Sequence, residues 1–245
     1  MNIGVIIQAR MGSTRLPGKV MMELQGKSVL SHVIDRLKQS RLLNTIIVAT
    51  TDKEEDSIIA KEALGNGAKV FRGSEQNVLS RYYFAAKENN LDVIVRVTSD
   101  CPLIDSKILD DLLGFYLSNH YDIVSNAGPE LTQRTYPRGL DVEIFTFEVL
   151  EMTFINATQL YQKEHVTPYI YESSNRVYIY KNEFNYSNHR WTLDTKEDFR
   201  LISEIYANLY HGKHDFYMSD ILNLFRKNPD LMLLNEHIEQ KKLDK

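Results

Sequence analysis

Residues 3–7 read IGVII, an uninterrupted apolar run, and the chain turns polar and cationic immediately after it. A strand with no polar alternation is buried on both faces, and such strands occur inside parallel sheets covered by helices on either side. This feature points to the α/β class, and the rest of the first half repeats it. Thr45–Ala49 (TIIVA), Lys69–Phe71, Asp92–Val97 (DVIVRV) and Asp122–Ser125 (DIVS) read as further strands. Between them Val29–Leu37, Glu54–Leu64, Val78–Asn89 and Ile108–Leu117 carry helical patterns, with Gly65 and Gly67 closing the second. Alternating strands and helices of this length predict βαβ units and a mainly parallel sheet flanked by helices.

After Ser125 the alternation breaks. Ala127–Arg138 is a polar loop, Leu140–Phe145 alternates like a strand, Gln159–Glu172 is mixed and helix-compatible, and Val177–Tyr180 reads as an edge strand. Lys196–Leu209 and Met218–Arg226 are amphipathic helices, and the lysine-rich tail after Asn235 is expected to fray. No repeat or low-complexity linker divides the 245 residues, so a single domain over 1–245 is expected.

With 43% hydrophobic and 25% charged residues the chain can bury one large core. A net charge of −4 without any basic stripe argues against nucleic acid as the main partner. Cys101 is the one cysteine, which excludes intrachain disulfides and cysteine-based structural zinc. No window approaches the roughly 18 apolar residues of a membrane span, and the N-terminus lacks signal-peptide character. A cytoplasmic protein is expected.

The loop after the first strand reads Gln8-Ala9-Arg10-Met11-Gly12-Ser13-Thr14-Arg15-Leu16-Pro17-Gly18-Lys19. In open α/β sheets ligands bind at the carboxyl ends of the strands, where this loop lies. Gly12 is expected to let the backbone turn tightly and approach an anion. Arg10, Arg15 and Lys19 supply three cations within ten residues, more than one phosphate needs, which points to a triphosphate. The alternative is a solvated basic loop whose glycines only turn the chain. It is not a Walker A loop: the glycine spacing is one residue too long, and Val20 replaces the Ser or Thr.

A second polar segment, Arg96-Val97-Thr98-Ser99-Asp100-Cys101-Pro102-Leu103-Ile104-Asp105, ends the fourth strand. Asp100, at a strand's carboxyl end before a proline turn, is well placed for a hard cation, and magnesium prefers one or two carboxylates plus substrate phosphates. Cys101 reads as a packing residue. Far along the chain, in Arg190-Trp191-Thr192-Leu193-Asp194-Thr195-Lys196-Glu197-Asp198, two readings stand. Asp194 or Thr195 caps the helix that starts at Lys196, or Asp194 belongs to a cation site. Trp191 reads as core.

The run A-R-M-G-S-T-R-L-P-G-K resembles the signature of the CMP-sugar synthetase (cytidylyltransferase) superfamily, nearest its SpsF-like branch and more distantly CMP-KDO synthetases and acylneuraminate cytidylyltransferases. Further matching segments lie near residues 72–81, 96–105, 136–143, 164–169 and 191–198. The resemblance implies a Rossmann-like nucleotide-diphospho-sugar transferase fold of the GT-A-like kind, with a nucleotide-binding part over about 1–126 and an acceptor and dimerisation part over about 127–245.

It also implies roles. Ala9, Arg10, Gly12, Ser13, Arg15 and Lys19 hold the nucleotide triphosphate, and Asp100 ligates magnesium (Mg2+), with Asp194 completing the metal site. Arg72, Gly73 and Arg81 correspond to nucleotide-contacting positions; Arg81 is alternatively an ordinary exposed helical residue. CMP-KDO synthetases read Q-G-D-x-P before the metal aspartate, and that glutamine helps recognise cytosine. Here Thr98 and Ser99 stand instead, one hydroxyl where an amide offers both donor and acceptor. Preference for cytosine is therefore implied by the resemblance alone. Arg138, Gly139 and Asp141 in Tyr136–Glu143, and His165 and Tyr169 in Glu164–Tyr169, resemble the acceptor and dimer regions. Arg138 and Asp141 meet a carboxylate or phosphate and sugar hydroxyls, or else serve as internal ion pairs.

The expected reaction is in-line attack by an acceptor hydroxyl or phosphate on the α-phosphorus of CTP, with loss of pyrophosphate. Arg10, Arg15, Lys19 and Asp100 carry it. The expected partners are CTP, a sugar-like acceptor and a second copy of the chain. Two alternatives are a nucleotide-sugar glycosyltransferase, which normally shows a D-x-D motif absent at Asp100-Cys101-Pro102, and a silent sugar- or nucleotide-binding protein.

Overall fold

The computed structural model describes residues 1–239. Seven strands form one sheet: β1 (Ile3–Gln8), β2 (Thr45–Thr51), β3 (Lys69–Gly73), β4 (Val93–Thr98), β5 (Ile123–Ser125), β6 (Glu143–Thr146) and β7 (Val177–Ile179). Their spatial order is β3-β2-β1-β4-β6-β5-β7. β1 pairs in parallel with β2 and β4, and β6 runs antiparallel to both β4 and β5. β7 lies at the edge, parallel to β5. β1 is buried along its whole apolar run because its side chains serve two cores. Ile3, Val5 and Ile7 pack on one face with helices α1 (Val29–Leu37), α2 (Ser57–Gly65) and α4 (Ser106–Leu117). Ile6 packs on the other, under α3 (Val78–Glu88) and α5 (Phe147–Asn156), together with Val166, which follows the short helix α6 (Leu160–His165), and Ile170 of the short helix α7 (Pro168–Ser173).

A third apolar cluster joins α8 (Lys196–Leu209) and α9 (Met218–Lys227) to the ends of the sheet. It takes Leu16 from the loop after β1, Leu103 from the loop after β4, and Trp191 and Leu193 from the segment before α8. Three stretches far apart in sequence are thus fixed to one another by burying side chains in common, at roughly 1.5–3 kcal/mol per fully buried aliphatic or aromatic side chain.

Two details differ from the sequence pattern. The expected strand Leu140–Phe145 pairs only from Glu143, because Asn126 holds the preceding residues: its Nδ2 donates to Leu140 O and its Oδ1 accepts from Val142 N. α5, absent from the sequence reading, starts at a Thr146 cap that accepts from Val149 N. The mixed segment Gln159–Glu172 forms the pair α6 and α7. The part of the lysine-rich tail from residue 240 on lies outside the described residues.

Candidate active site

β1 turns toward β2 on one side and β4 on the other, and ligands of open α/β sheets bind at such a switch point. Gln8 and Thr98 are register partners, so the loops that follow them rise side by side. The first loop is pinned at its start by Asp56, whose Oδ1 accepts from Met11 N at 2.7 Å and whose Oδ2 accepts from Thr51 Oγ1. Ala9 is tied to β2 by its N–H to Ala49 O, and Ser13 N donates to Met11 O. The turn-making glycine is Gly18, not Gly12. Gly18 has φ 69° and donates to Met11 O, closing the loop on itself. Gly12 has no left-handed φ, and a Cβ there meets nothing nearer than 3.7 Å.

Closure at Gly18 aims the next side chain inward. Lys19 is 9% exposed, and its Nζ donates to Asp100 Oδ2 (2.7 Å), Asp194 Oδ1 (2.8 Å) and Leu193 O (2.8 Å). Asp100 and Asp194, expected as two metal ligands, thus converge on one point. Arg15 Nη2 lies 2.9 Å from Asp194 Oδ2. Arg10 turns the other way, toward Glu75 at 3.9 Å, so two of the three loop cations meet the carboxylates and Arg10 does not. Burial works to depress the Lys19 ammonium, but the charges of Asp100 and Asp194 outweigh it and hold its pKa above the ordinary lysine value. Burial likewise works to raise the Asp100 carboxyl, but Lys19 and the Thr98 hydroxyl hold it below the usual carboxylate range.

Thr98 Oγ1 donates to Asp100 Oδ1 at 2.5 Å, so its proton is directed at the carboxylate. Cys101 is buried as expected, and burial, with Asp100 and Asp141 nearby, pushes its thiol well above the ordinary value. The two readings of Asp194 separate: Thr195 caps α8, accepting from Asp198 N, while the Asp194 side chain points to Lys19, Arg15 and Arg190.

The segment before α8 threads between the two remaining loops. Leu193 N donates to Asp100 O, Trp191 N to Arg138 O, and Arg138 N to His189 O. Gly139 permits this contact. Its φ is 95°, and a Cβ there would lie 2.5 Å from the carbonyl carbon of Trp191. Asp141 is paired in two-pronged fashion with Arg134. Arg138 is half-buried, and among the described residues its guanidinium meets no acceptor; burial and the neighbouring Arg134 lower its pKa.

The other expected residues lie apart from this cluster. Arg72 donates to Thr51 O, Ser57 Oγ and Lys53 O, stitching the β2–α2 turn. Arg81 is 2% exposed rather than an exposed helical residue, and it donates to the carbonyls of Ser74 and Glu75. At Gly73 a Cβ would crowd Phe71, 3.0 Å from its Cε1, while Arg81 Cγ at 3.4 Å would lie at ordinary contact. His165 ends α6 and Tyr169 lies in α7; between them Val166 adopts φ 72°, ψ −56°, a strained γ-turn closed by Thr167 N to His165 O. Thr167 Oγ1 and Tyr171 OH donate to Glu143 Oε1, and Glu143 pairs with Arg96, which donates to Gln8. This network links the α6–α7 turn to the end of β1.

Sequence reasoning missed Asp56, Arg190 and Asp198. The acid-rich TDKEED stretch after β2 and the eight-residue spacing of Arg190 and Asp198 were the available signals.

Magnesium needs only one or two protein carboxylates when phosphates supply further ligands. Asp100 and Asp194 meet that requirement by donor chemistry and convergence. Among the described residues no cluster of three or more His, Cys, Asp or Glu side chains offers a site independent of substrate.

The mostly parallel, mixed sheet flanked by helices is a Rossmann-like fold, the fold of the nucleotidyltransferases to which this chain is similar. The chain belongs to the cytidylyltransferase family, whose sequence model matches residues 4–228. A cytidylyltransferase from Leptospira borgpetersenii superimposes with a TM-score of 0.90 at 38% identity, covering 98% of this chain and 100% of that one. The spore coat polysaccharide biosynthesis protein SpsF of Bacillus subtilis is 34% identical over 239 residues, 92% of this chain and 94% of that protein. A CMP:2-keto-3-deoxy-manno-octonic acid synthetase solved with CTP shares the fold, with a TM-score of 0.65 at 17% identity over 84% of this chain and 99% of that one. The protein is thus a CTP-using nucleotidyltransferase. No helix among the described residues is long and apolar enough to cross a membrane.

Proposed function

We propose that this enzyme transfers CMP from CTP to a sugar acid or related anionic sugar, releasing pyrophosphate, in the synthesis of a surface polysaccharide or glycan. One observation carries the reading: Lys19, Asp100 and Asp194 meet within 2.7–2.8 Å at the carboxyl ends of β1 and β4. A buried ammonium between two carboxylates, with the Arg15 guanidinium beside one of them, is a charge cluster into which a triphosphate and a divalent cation can exchange.

Magnesium held by Asp100 and Asp194 would supply Lewis-acid polarisation of the α-phosphate. Lys19 and Arg15, already beside those carboxylates, neutralise charge on the departing pyrophosphate. The acceptor oxygen forms its bond to the α-phosphorus as the bond to the bridging oxygen of pyrophosphate breaks. Thr98 keeps Asp100 oriented. Arg10, Gly73 and Arg81 lie on the β3 side of the loop, which we assign to the nucleoside. Arg138, a half-buried guanidinium that meets no acceptor among the described residues, receives the anionic group of the sugar, and Asp141, fixed by Arg134, offers its exposed edge to hydroxyls. The relatives' names, spore coat polysaccharide biosynthesis and an octonic acid synthetase, support the substrate class.

The test is pyrophosphate release measured with each nucleoside triphosphate and Mg2+ across a panel of sugar acids, sugar phosphates and neutral sugars. Release with CTP and an acidic acceptor is expected. Release only with a neutral sugar, or equally with every base, would overturn the assignment.

A further inference from the structure

Asp198 carries more hydrogen bonds than a helix cap requires. It is 0% exposed. Its Oδ1 accepts from Arg190 Nε at 2.9 Å and Asn235 Nδ2 at 2.8 Å, and its Oδ2 accepts from Arg190 Nη2, Asp194 N and Thr195 N, each at 3.0 Å. The reciprocal cap of α8 uses only Thr195 N, answered by Asp198 N to Thr195 Oγ1. Two of the remaining donors lead to Asp194. One is its own main-chain N–H, and another is Arg190 Nη2, which also donates to Asp194 Oδ2 at 2.9 Å.

Asn235 closes the arrangement from the C-terminal side. It lies 37 residues beyond Asp198, is 3% exposed, and its Nδ2 is shared between Asp198 Oδ1 and Arg190 O. Among the described residues its side chain makes no hydrogen bond to Asp100 or Lys19, and its bonds hold Asp198 and the Arg190 main chain. An aspartate immediately ahead of a helix has rotamer freedom that must be lost before it can serve as a fixed ligand. Here that freedom is removed by a relay running from Asn235 through Asp198 and Arg190 to Asp194.

We propose that Asp198 and Asn235 are positioning residues for Asp194, so that the segment after α9 is part of the active-site architecture. The proposal rests on the reading of Asp194 as a carboxylate that meets a divalent cation with the nucleotide. Partners behind a metal ligand typically change metal affinity by about 10–100-fold when removed.

The experiment is Mn2+ binding in the presence of CTP, followed by electron paramagnetic resonance, on the full chain. Asn235→Ala is expected to weaken Mn2+ binding about 10-fold while CTP affinity measured in EDTA stays at the native value. Asn235→Asp, which sets a second carboxylate against Asp198, is expected to weaken it further, and Asp198→Asn more than Asn235→Ala. If Asp198→Asn fails to fold, the two Asn235 variants decide the matter. Native Mn2+ affinity in both, with only a lowered Tm, would overturn the proposal and leave a purely structural anchor. If the native protein with CTP takes up no Mn2+, the metal reading of Asp194 falls first and this inference with it.

Discussion

Lys19 and Asp194 are 175 residues apart in the chain, and their side chains meet at 2.8 Å. The contact is buried and shared with Asp100, which places a single ammonium between the two acids expected to hold a divalent cation. Lys19 offsets one of the two carboxylate charges, Arg15 and Arg190 stand beside Asp194 as further cations, and each side chain in the site has a separable role.

Asp100→Asn keeps the shape of the side chain and removes its charge. Turnover should fall at least about 10²-fold, the scale for loss of one preorganised electrostatic element. Asp194→Asn should behave similarly, whereas Thr195→Ala should cost about 1 kcal/mol of stability and little chemistry. Steady-state rates beside thermal unfolding separate the two. Near-native rates in both aspartate variants would remove them from the reaction.

Lys19 and Arg15 should differ in stability and agree in ligand choice. Lys19→Ala leaves two carboxylates facing each other in a site that excludes most water, and a broken buried pair costs about 3–5 kcal/mol. Added Mg2+ should restore part of that loss. The Arg15 side chain is 35% exposed and makes one such contact, so Arg15→Ala should fold normally. Calorimetric titration should show weaker CTP binding in Arg15→Ala with CMP binding nearly kept. Equal weakening of both ligands would move Arg15 to the α-phosphate.

Arg138→Lys keeps the charge and loses the forked geometry. The acceptor KM should rise, or turnover fall, roughly 10-fold, as for loss of one charged hydrogen bond, with CTP affinity unchanged. A variant that loses CTP binding instead would place Arg138 on the nucleotide.

Gly139→Ala should be far more damaging than its size suggests. At φ 95° the added methyl meets the main chain of Trp191 and Thr192 at 2.5–2.7 Å, which cannot yield without moving the segment that carries Asp194. A left-handed non-glycine residue alone costs on the order of 1–3 kcal/mol, and the steric contact adds to that. Chemical denaturation and CTP binding should both be impaired. A native Tm would show that the loop can separate from the 189–193 segment.

His32 Nδ1 and His214 Nε2 lie 2.8 Å apart in the interior, beside Tyr206 and Tyr210. Burial, then the nearby Arg36 and His32, push His214 down to about 3 from 6.5, and burial lowers His32 as well. The unfolded chain takes up these protons below about 6.5 and the folded chain resists them, so this pair favours folding fully above that pH. Its contribution falls as the pH drops from about 6.5 toward 3. Tm followed between about pH 7 and 5 should decline less steeply in His214→Gln than in the native protein. An identical slope would show that the pair does not titrate in this window.

The sequence alone determined what local periodicity controls. The run IGVII could be satisfied only by a doubly covered central strand, and α1 and α8 span Val29–Leu37 and Lys196–Leu209 as their spacing predicts. The cationic loop and Asp100 were legible because their residues are consecutive and follow strands. α5 was not, since Phe147–Asn156 carries apolar residues on its exposed side as well, Met152 and Ile155 among them. Which partner each charge takes was decided only in three dimensions. Asp141 turned to Arg134, Arg10 to Glu75, and Arg81 to two carbonyls, while Arg138 was left without an acceptor among the described residues. Asp194 was drawn to Lys19 and its capping role passed to Thr195, because the apolar cluster of Leu16, Leu103 and Leu193 brings three distant loops into contact. Hydrophobic period is a property of neighbours in the chain, whereas the pairing of buried charges depends on which loops the core brings together.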